Sequence, residues 1–411
     1  MKQSVSSFSN SIKKPETIAI IGRGYGDEGK GLATDFFSLS AGKKLVVRHN
    51  GGAQSGHTVD RKDKRIVFHE LGSGSLNGAE TFWAKTYLPD LYKLAEEWEA
   101  FCRITGLEPV LHADERTCIT LIDDVLLNMA IETARGEDRH GSCGMGINEA
   151  YLRAKAGFGI TIRQLKEVSF DDLFDEMKRI RREYLPTRLR ELGLEDREDI
   201  EYLELLRDEN VLRNVLTAMK ENVQKVQLVR DVAGFFAGFD RIIFESGQGL
   251  LLDAECEESM PHVTASRTGL TNPMQILEEA GLDLNEVVYV ARSYLTRHGA
   301  GPLACECDPK QLGNIEPDLT NVTNPWQGDF RFAFYGSVEA FLKPIMVDCG
   351  NRKETKVSLL ITHLNETEGK VRFDGFDLTP GELQEKTAEI FRETEIYQSY
   401  SRYSEEMKKE P

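Results

Sequence analysis

Thr17-Ile18-Ala19-Ile20-Ile21-Gly22 is a short apolar run, rich in isoleucine, that ends at a glycine. A run of this kind predicts a buried parallel strand that leads into a glycine loop. The loop reads Gly22-Arg23-Gly24-Tyr25-Gly26-Asp27-Glu28-Gly29-Lys30-Gly31, and residues 30–41 follow it with helical spacing. A strand, a glycine loop and a helix in this order indicate an α/β fold.

Other segments repeat the pattern. We predict strands at Leu45–Arg48, Arg65–His69, Arg241–Phe244, Val287–Arg292 and Val357–Thr362, and helices at 89–101 and 122–134. The strand at Arg65–His69 is expected to form a hairpin with the segment near Thr58. Residues 165–236 have helical periodicity and predict a helical excursion, and residues 380–410 predict a charged helical tail. The fold class expected is an open, mostly parallel central sheet flanked by helices, with sites at the carboxyl ends of its strands.

Composition bounds the class of protein. We expect a polar N-terminal extension over residues 1–16 and one large domain over residues 17–411. The chain has 51 Lys and Arg against 68 Asp and Glu, so its formal net charge is −17. This acidic balance argues against a nucleic-acid partner. The first residues lack the apolar core of a signal peptide, and no run approaches the ~20 apolar residues of a membrane span. Seven scattered cysteines favour reduced thiols in the cytoplasm.

The first glycine loop has the chemistry of a phosphate site, with one unusual feature. Glycine amides and a helix start can hold phosphate, and Lys30 can reach it. Asp27 and Glu28 place two carboxylates in the same loop, although the loop fits neither GxxxxGK[ST] nor GxGxxG. A carboxylate beside phosphates is repelled unless a metal bridges them or the carboxylate acts as a base. The alternative for this segment alone is a plain strand–helix turn with Asp27 as an N-cap.

Further loops of small and polar residues follow other predicted elements. Gly51–Thr58 presents His57 between flexible or small positions, and Glu245–Gly249 carries Gln248, which can both donate to and accept from a purine edge. Two more such loops are Gly141–Gly146 and Pro261–Thr268. Each loop alone could be a turn. Their repetition in one chain indicates a shared ligand site.

Together these segments resemble the adenylosuccinate synthetase family. The family's G-x-x-x-G-D-E-G-K-G-K matches Gly22 to Gly31, with Leu32 at the last position. Its G-G-x-N-A-G-H-T matches Gly51 to Thr58, with Gln54-Ser55 for Asn-Ala, and its E-G-A-Q-G-x-x-L-D matches Glu245 to Asp253. Three further motifs match His140–Gly146, Met260–Ser266 and Thr296–Pro302. The motifs keep the family's order.

The resemblance implies a C–N ligase. It would join aspartate to C6 of a 6-oxopurine nucleotide, IMP first, and would hydrolyse GTP or ATP through a 6-phosphoryl intermediate. By this resemblance Asp27 is the base at purine N1, and Asp27 with the Gly56 carbonyl holds Mg²⁺. Lys30 and His57 stabilise the transferring phosphoryl group. A homodimer in the cytoplasm is also implied.

The same resemblance assigns the binding residues. The residues expected to bind the nucleoside triphosphate are Gly26, Asp27, Glu28, Gly29, Lys30, Gly31, Gly56, His57 and Thr58. Those expected to bind the purine monophosphate are Gln54, Gly141, Ser142, Cys143, Gln248 and Thr264. The loop expected to bind the amino acid contains Thr323, Asn324 and Arg331.

Several departures from the family pattern concern substrate choice. Cys143 and Met145 replace a Thr and an Arg, and residues 155–158 lack the arginine that the family donates across subunits. Thr362-His363-Leu364-Asn365 replaces the guanine-reading T-K-L-D, and Asn cannot accept two guanine N–H groups as a carboxylate does. ATP is therefore a candidate beside GTP.

These departures leave alternatives open. They are similar to those of the phage 2-aminoadenylosuccinate synthetase branch, which uses deoxyguanylate, so dGMP or GMP is the alternative acceptor. A nucleotide-binding protein that has lost turnover is a third hypothesis, motivated by the missing arginines. A P-loop GTPase switch is disfavoured because no Ser or Thr follows Lys30.

Overall fold

A computed structural model describes residues 14–136, 144–317, 328–352, 354–392 and 394–409. The strands are β1 Glu16–Gly22, β2 Lys44–Arg48, β3 His57–Asp60, β4 Arg65–Phe68, β5 Glu80–Trp83, β6 Leu111–Asp114, β7 Val226–Val229, β8 Arg241–Gly249, β9 Glu286–Arg292, β10 Leu295–His298, β11 Phe330–Ala333, β12 Lys356–Thr362, β13 Val371–Phe373, β14 Phe376–Leu378, β15 Thr394–Gln398 and β16 Lys408–Lys409. The helices are α1 Lys30–Phe37, α2 Leu91–Thr105, α3 Ile122–Arg135, α4 Ile147–Arg153, α5 Ile162–Glu167, α6 Phe170–Glu183, α7 Leu185–Leu192, α8 Glu201–Leu205, α9 Glu209–Asn222, α10 Val232–Phe236, α11 Thr271–Ala280, α12 Val338–Cys349 and α13 Pro380–Ala388.

Ten strands form one central sheet in the order β16-β15-β12-β9-β1-β8-β2-β5-β6-β7. All neighbours are parallel except β16, which runs antiparallel to β15. The predicted open, mostly parallel sheet is confirmed. Strand β1 lies between β8 and β9, so the sheet extends on both sides of β1. The loop after β1 opens at the point where the strand order turns from one side to the other. In open α/β sheets this position is where ligands bind.

The core explains why β1 is apolar from Ile18 to Ile21. Ala19 and Ile21 pack into one hydrophobic cluster, whereas Ile18 and Ile20 pack into a second one. Alternate side chains of a strand point to opposite faces, so a strand covered on both sides must be apolar at every position. The predicted hairpin is also present, with Thr58 of β3 opposite Val67 of β4.

The predicted helical tail at 380–410 is wrong beyond Ala388. Helix α13 ends there, and the chain returns to the sheet as β15 beside β12. The charged residues of this segment indicated a helix, but the structure has a strand whose Ile396 and Tyr397 are buried. Within 165–236 the chain forms helices α5 to α9, but the same range also contains the edge strand β7 and helix α10. Strand pairing outweighs local composition in both segments.

Residues 1–13 of the expected N-terminal extension lie outside the described ranges, and Glu16 belongs to β1. None of the helices in the described ranges combines the length and apolar content that a membrane span requires.

A buried ion pair joins α3 to α4 on either side of residues 137–143. Arg153 donates from Nε to Asp124 Oδ1 and from Nη2 to Asp124 Oδ2, both at 2.8 Å. Burial raises the pKa of Asp124, an effect that the charge and hydrogen bonds of Arg153 oppose. Two parallel hydrogen bonds between opposite charges are the strongest form of such a pair.

We expect Asp124→Asn to destabilise the protein by about 3–5 kcal/mol, because it leaves the buried Arg153 guanidinium without its counter-charge. The measurement is urea unfolding followed by circular dichroism. Asp199→Asn is the matched control, since Asp199 makes the same kind of pair with Arg197 on the exposed surface. The idea is refuted if both variants unfold at the wild-type urea concentration.

Candidate active site

A cleft of about 860 Å³ opens above the central sheet, beyond the end of β1. Its wall contains most of the residues that the sequence assigned to nucleotides. Those that line it are Gly26, Asp27, Gly29, Lys30, Gly31, Gln54, Gly56, His57, Thr58 and Gln248. Three of the loops, Gly22–Gly31, Gly51–Thr58 and Glu245–Gly249, therefore meet at one site, whereas no residue of Pro261–Thr268 lines it.

Some assigned residues lie elsewhere. Glu28 and Thr264 are absent from the wall of the cleft, as is Arg331. Gly141, Ser142, Cys143, Thr323 and Asn324 lie outside the described residues. The roles predicted for the amino-acid loop and for the loop Gly141–Gly146 therefore stay predictions.

The first glycine loop adopts a tight, left-handed path. Gly26 and Gly29 have φ values of 101° and 99°, and Asp27 itself has φ 61°. The N-cap of α1 is Gly29, with no side-chain hydrogen bond, so the alternative of Asp27 as an N-cap is wrong. Arg292 Nε donates to the carbonyl of Asp27 at 2.6 Å and holds the turn from β9. This path places Asp27 in the wall of the cleft.

Glu28 turns the other way. Its Oε1 accepts hydrogen bonds from the amides of Gly24 and Gly26, both at 2.9 Å, and its Oε2 lies 3.1 Å from Lys30 Nζ. Both charged side chains are buried. A Cβ on Gly22 would lie 2.4 Å from Glu28 Oε2, so this position requires glycine. Glu28 thus holds the loop together and sets the position of Lys30.

His57 rests on a buried ion pair. Its Nδ1 lies 2.8 Å from Glu245 Oε1 and 2.8 Å from Arg48 Nη1, and Arg48 Nη1 also donates to Glu245 Oε2 at 3.1 Å. Ser73 contributes a side-chain and a backbone hydrogen bond to Glu245. In the described part of the chain, nothing bonds His57 Nε2, which is buried beside the cleft. This nitrogen is placed to meet a ligand.

The pKa values follow from this arrangement. Burial lowers the pKa of His57, an effect that Glu245 opposes. Burial alone would raise the pKa of Glu245, but the attraction of His57 and Arg48 holds it well below its usual range. Glu245 is therefore a carboxylate at neutral pH, and it favours a proton on the His57 nitrogen that faces it.

Two amide side chains line another part of the cleft. Gln248 Oε1 accepts from Asn50 Nδ2 at 3.1 Å, which orients the amide. Gln248 Nε2 and Gln54 Oε1 are both buried with no partner among the described residues. A Cβ on Gly51 would lie 2.7 Å from Gln54 and 3.1 Å from Gln248, so the two amides meet beside this glycine. One unpaired donor and one unpaired acceptor suit the edge of a heterocyclic base.

Thr264 lies behind this wall. Its hydroxyl is 3.5 Å from Ser266 Oγ, and Asn50 Nδ2 donates to the same Ser266 oxygen at 3.4 Å. It therefore connects to Gln248 only through two other side chains.

Part of the cleft wall was not predicted from the sequence. Arg292 is a cation at the carboxyl end of a predicted strand, and that position was a signal for it. His363 and Asn365, which the sequence places at the guanine-reading motif, lie in the cleft after β12. Ser399, Ser401, Arg402, Tyr403 and Glu406 line it from the carboxyl-terminal segment. That segment was predicted to be helical, so nothing in the sequence analysis indicated these five.

Arg331 is occupied by partners of its own. It forms an ion pair with Glu306 and donates to the carbonyls of Gly299 and Gly301 at 3.1 and 2.8 Å. The guanidinium thus joins β11 to the loop after β10. In the structure it supports that loop.

The donor set at the cleft is compatible with Mg²⁺. No group of three His, Cys, Asp or Glu side chains suited to a metal is found in the described ranges. Asp27 and Gly56 nevertheless both line the cleft, and a carboxylate and a carbonyl are the oxygen ligands that Mg²⁺ prefers. Mg²⁺ is usually bound by one or two protein groups together with substrate phosphates. Two protein oxygens therefore fit the ion.

Comparison with known proteins gives one family. The adenylosuccinate synthetase family model matches residues 19–323. The adenylosuccinate synthetase of Thermosipho africanus is 28% identical over 295 residues, which are 71% of this chain and 67% of that protein. The Photobacterium profundum enzyme of the same name is 30% identical over 304 residues, 71% of this chain and 65% of that protein. The chain thus matches about two thirds of the length of these relatives.

Two solved structures share the fold. The adenylosuccinate synthetase of Plasmodium falciparum has a TM-score of 0.69 at 17% identity, with 96% of this chain and 99% of that chain covered. The succinoaminodeoxyadenylate synthetase of cyanophage S-2L has a TM-score of 0.63 at 16% identity, covering 97% and 96%. The family model takes in both glycine loops of the cleft and the Gln248 loop in a single span. The chain belongs to the adenylosuccinate synthetase family, a family of ligases, as its motifs predicted.

Proposed function

We propose that this chain joins aspartate to C6 of a 6-oxopurine nucleotide, IMP first, and hydrolyses GTP or ATP through a 6-phosphoryl intermediate. The observation that carries the proposal is the meeting of Asp27, Lys30, His57 and Gln248 in one cleft. A base, two groups that can stabilise phosphoryl oxygens and a reader of the purine are the parts that this chemistry needs.

Asp27 is the proposed base. Removal of the proton from purine N1 makes O6 nucleophilic toward the γ-phosphorus, and the carboxylate of Asp27 lies in the wall of the cleft to take that proton. Lys30 presents its ammonium to the phosphates from the end of the same loop. When bound between Asp27 and Gly56, Mg²⁺ would supply positive charge against the phosphoryl oxygens.

His57 is the proposed donor to the transferring group. A phosphoryl oxygen at Nε2 brings negative charge, which favours the imidazolium form. Glu245 then accepts the hydrogen bond from Nδ1 and stabilises the same form. Gln248 Nε2 and Gln54 Oε1 are proposed to read the purine edge, because both are buried and lack a partner in the described part of the chain.

The alternative acceptor is dGMP or GMP. Asn365 lines the cleft where the family pattern has the carboxylate that reads the guanine of the triphosphate, so it bears on the energy donor and favours ATP beside GTP. The cyanophage S-2L enzyme, which shares the fold, was solved with dGMP and with dATP as an energy donor. Loss of turnover is disfavoured, because Asp27, Lys30 and His57 all line the cleft.

We also propose a homodimer in the cytoplasm, with no nucleic-acid or membrane partner. The six cysteines that the structure describes are unpaired, which suits a reducing compartment. The dimer rests on family resemblance alone.

A substrate matrix tests the activity. We expect phosphate release that requires aspartate and one of IMP, GMP or dGMP, with ATP or GTP, and a succinyl-purine product identified by mass. The acceptor with the highest kcat/KM identifies the branch. A purified protein that releases no phosphate with any combination would refute the ligase proposal.

We expect Asp27→Asn to lower kcat by about 10²-fold or more, since the variant has no base at N1. Asparagine tolerates the left-handed φ of this position, so the loop should keep its shape. The measurements are aspartate-dependent phosphate release and calorimetric binding of the purine nucleotide, which should change little. Asp63→Asn, an exposed residue outside the cleft, is the control. A near-normal rate in Asp27→Asn would remove this residue from the mechanism.

We expect Glu245→Gln to lose less folding stability than the wild type as pH falls through the acidic range (the acid limb of its stability profile). We also expect it to lower kcat by about 10²-fold, because His57 loses its partner. A carboxyl whose pKa is depressed in the folded state stabilises the protein above its unfolded pKa of about 4.3. That stability is lost as pH falls below this value toward the folded pKa. Thermal melts of wild type and variant across the acidic range measure the effect. An unchanged acid limb contradicts it.

A further inference from the structure

His69 follows β4 and lines the cleft, and no motif used above contains it. Its backbone amide donates to the carboxylate of Glu97, on α2, at 2.9 Å. The same buried carboxylate accepts from the next two amides, Glu70 at 2.7 Å and Leu71 at 3.0 Å. One side chain thus takes three consecutive N–H groups. A helix outside the glycine loops therefore fixes the path of residues 69–71.

The carbonyl of His69 is also held. It accepts hydrogen bonds from Arg48 Nη2 at 2.9 Å and from Tyr87 Oη at 2.8 Å. Arg48 is the same side chain that meets Glu245 and His57. Both backbone polar groups of His69 are therefore engaged by buried side chains, which fixes the backbone from which the ring extends.

The ring of His69 reaches the second glycine loop. Its Nδ1 lies 2.8 Å from the carbonyl oxygen of Ala53. A carbonyl oxygen can only accept, so Nδ1 carries the proton and donates it. Ala53 directly precedes Gln54, which lines the cleft and whose Oε1 is buried with no partner among the described residues. Ser55 of the same loop donates to the Gly52 carbonyl from its backbone N at 3.4 Å and from its Oγ at 3.2 Å, and Arg48 Nη2 donates to Ser55 Oγ at 2.8 Å. These contacts hold Ser55, whereas His69 holds the Ala53 carbonyl.

We propose that His69 is a positioning residue for the second glycine loop, residues 51–58. Its Nδ1–H braces the Ala53 carbonyl, Glu97 anchors His69 from α2, and the brace keeps Gln54 directed at the purine nucleotide. The statement about the nucleotide rests on the proposed function. The brace itself does not, because it is made within the chain.

Three substitutions at one site separate the two ring nitrogens. Asparagine can place an N–H close to the position of Nδ1, glutamine reaches instead toward the position of Nε2, and leucine does neither. We expect hydrogen exchange of the 51–58 amides to rise about 10-fold in His69→Leu and His69→Gln, and to stay near wild type in His69→Asn. Glu97→Gln should raise it as well, since one amide loses its acceptor.

IMP binding gives the second readout. Calorimetry measures the binding of IMP, or of dGMP if dGMP is the acceptor. We expect the dissociation constant to rise about 10-fold in His69→Leu and His69→Gln and to return to the wild-type value in His69→Asn. The loss should appear in KM for the purine nucleotide more than in kcat, because the brace positions a binding residue. A merely structural role would not be rescued by asparagine alone.

His112→Leu is the matched control. His112 is a buried histidine whose ring also has a hydrogen-bond partner, Glu80 Oε2 at 2.7 Å from its Nε2, but it does not line the cleft. It should cost stability without changing exchange in residues 51–58. The brace is overturned if His69→Leu leaves that exchange unchanged, or if glutamine restores it and asparagine does not. Should wild type bind no purine monophosphate, the proposed function fails, while the exchange data still decide the brace.

Discussion

The pairing of Arg48 with Glu245 is the interaction on which the site depends. The two residues stand side by side in register, Arg48 at the carboxyl end of β2 and Glu245 in the middle of β8, and both are fully buried. Each would carry an uncompensated charge without the other, so neither can change alone at low cost. The same two side chains hold His57, and Arg48 also donates to Ser55 and to the carbonyl of His69. One ion pair between neighbouring strands thereby fixes the second glycine loop and the end of β4.

How much of the fold the sequence predicts depends on how far each strand is apolar by itself. Strand β1 and its neighbours β8 and β9 are covered on both faces, so their apolar runs are long enough to recognise. Strands β6 and β7 have four residues each and are stabilised as strands by parallel pairing, β6 with β5 and β7 with β6. Strand β15 carries Glu395, which pairs with Lys356 of the neighbouring strand β12. In the sequence alone this charge is typical of an exposed helix, because the pairing with β12 is not visible there.

The candidate site shows the same limit at the level of single residues. The sequence presents Asp27 and Glu28 as an equivalent acidic pair. In the structure, with Asp27 left-handed between two left-handed glycines, Asp27 lies in the cleft wall, whereas the Glu28 carboxylate turns back to the amides of the loop. Residue type therefore predicts the loop but not the division between its carboxylates. Arg331 shows the converse, since the sequence offers it as a free cation, whereas Glu306 and two carbonyls occupy it.

The parts of the cleft differ in what holds them. Asp27, Lys30 and His57 lie within the span of the family model, and buried partners fix them, namely Glu28, Arg292 and the Arg48–Glu245 pair. Asn365 and the wall at 399–406 lie beyond that span, on segments joined to the sheet through β12 and β15. A substitution of Lys30 or of either member of the Arg48–Glu245 pair disturbs a buried charge, which is costly. A substitution in the wall changes a side chain beside open space, which usually costs little stability. The fold therefore allows the choice of ligand to change while the groups proposed for phosphoryl transfer keep their positions.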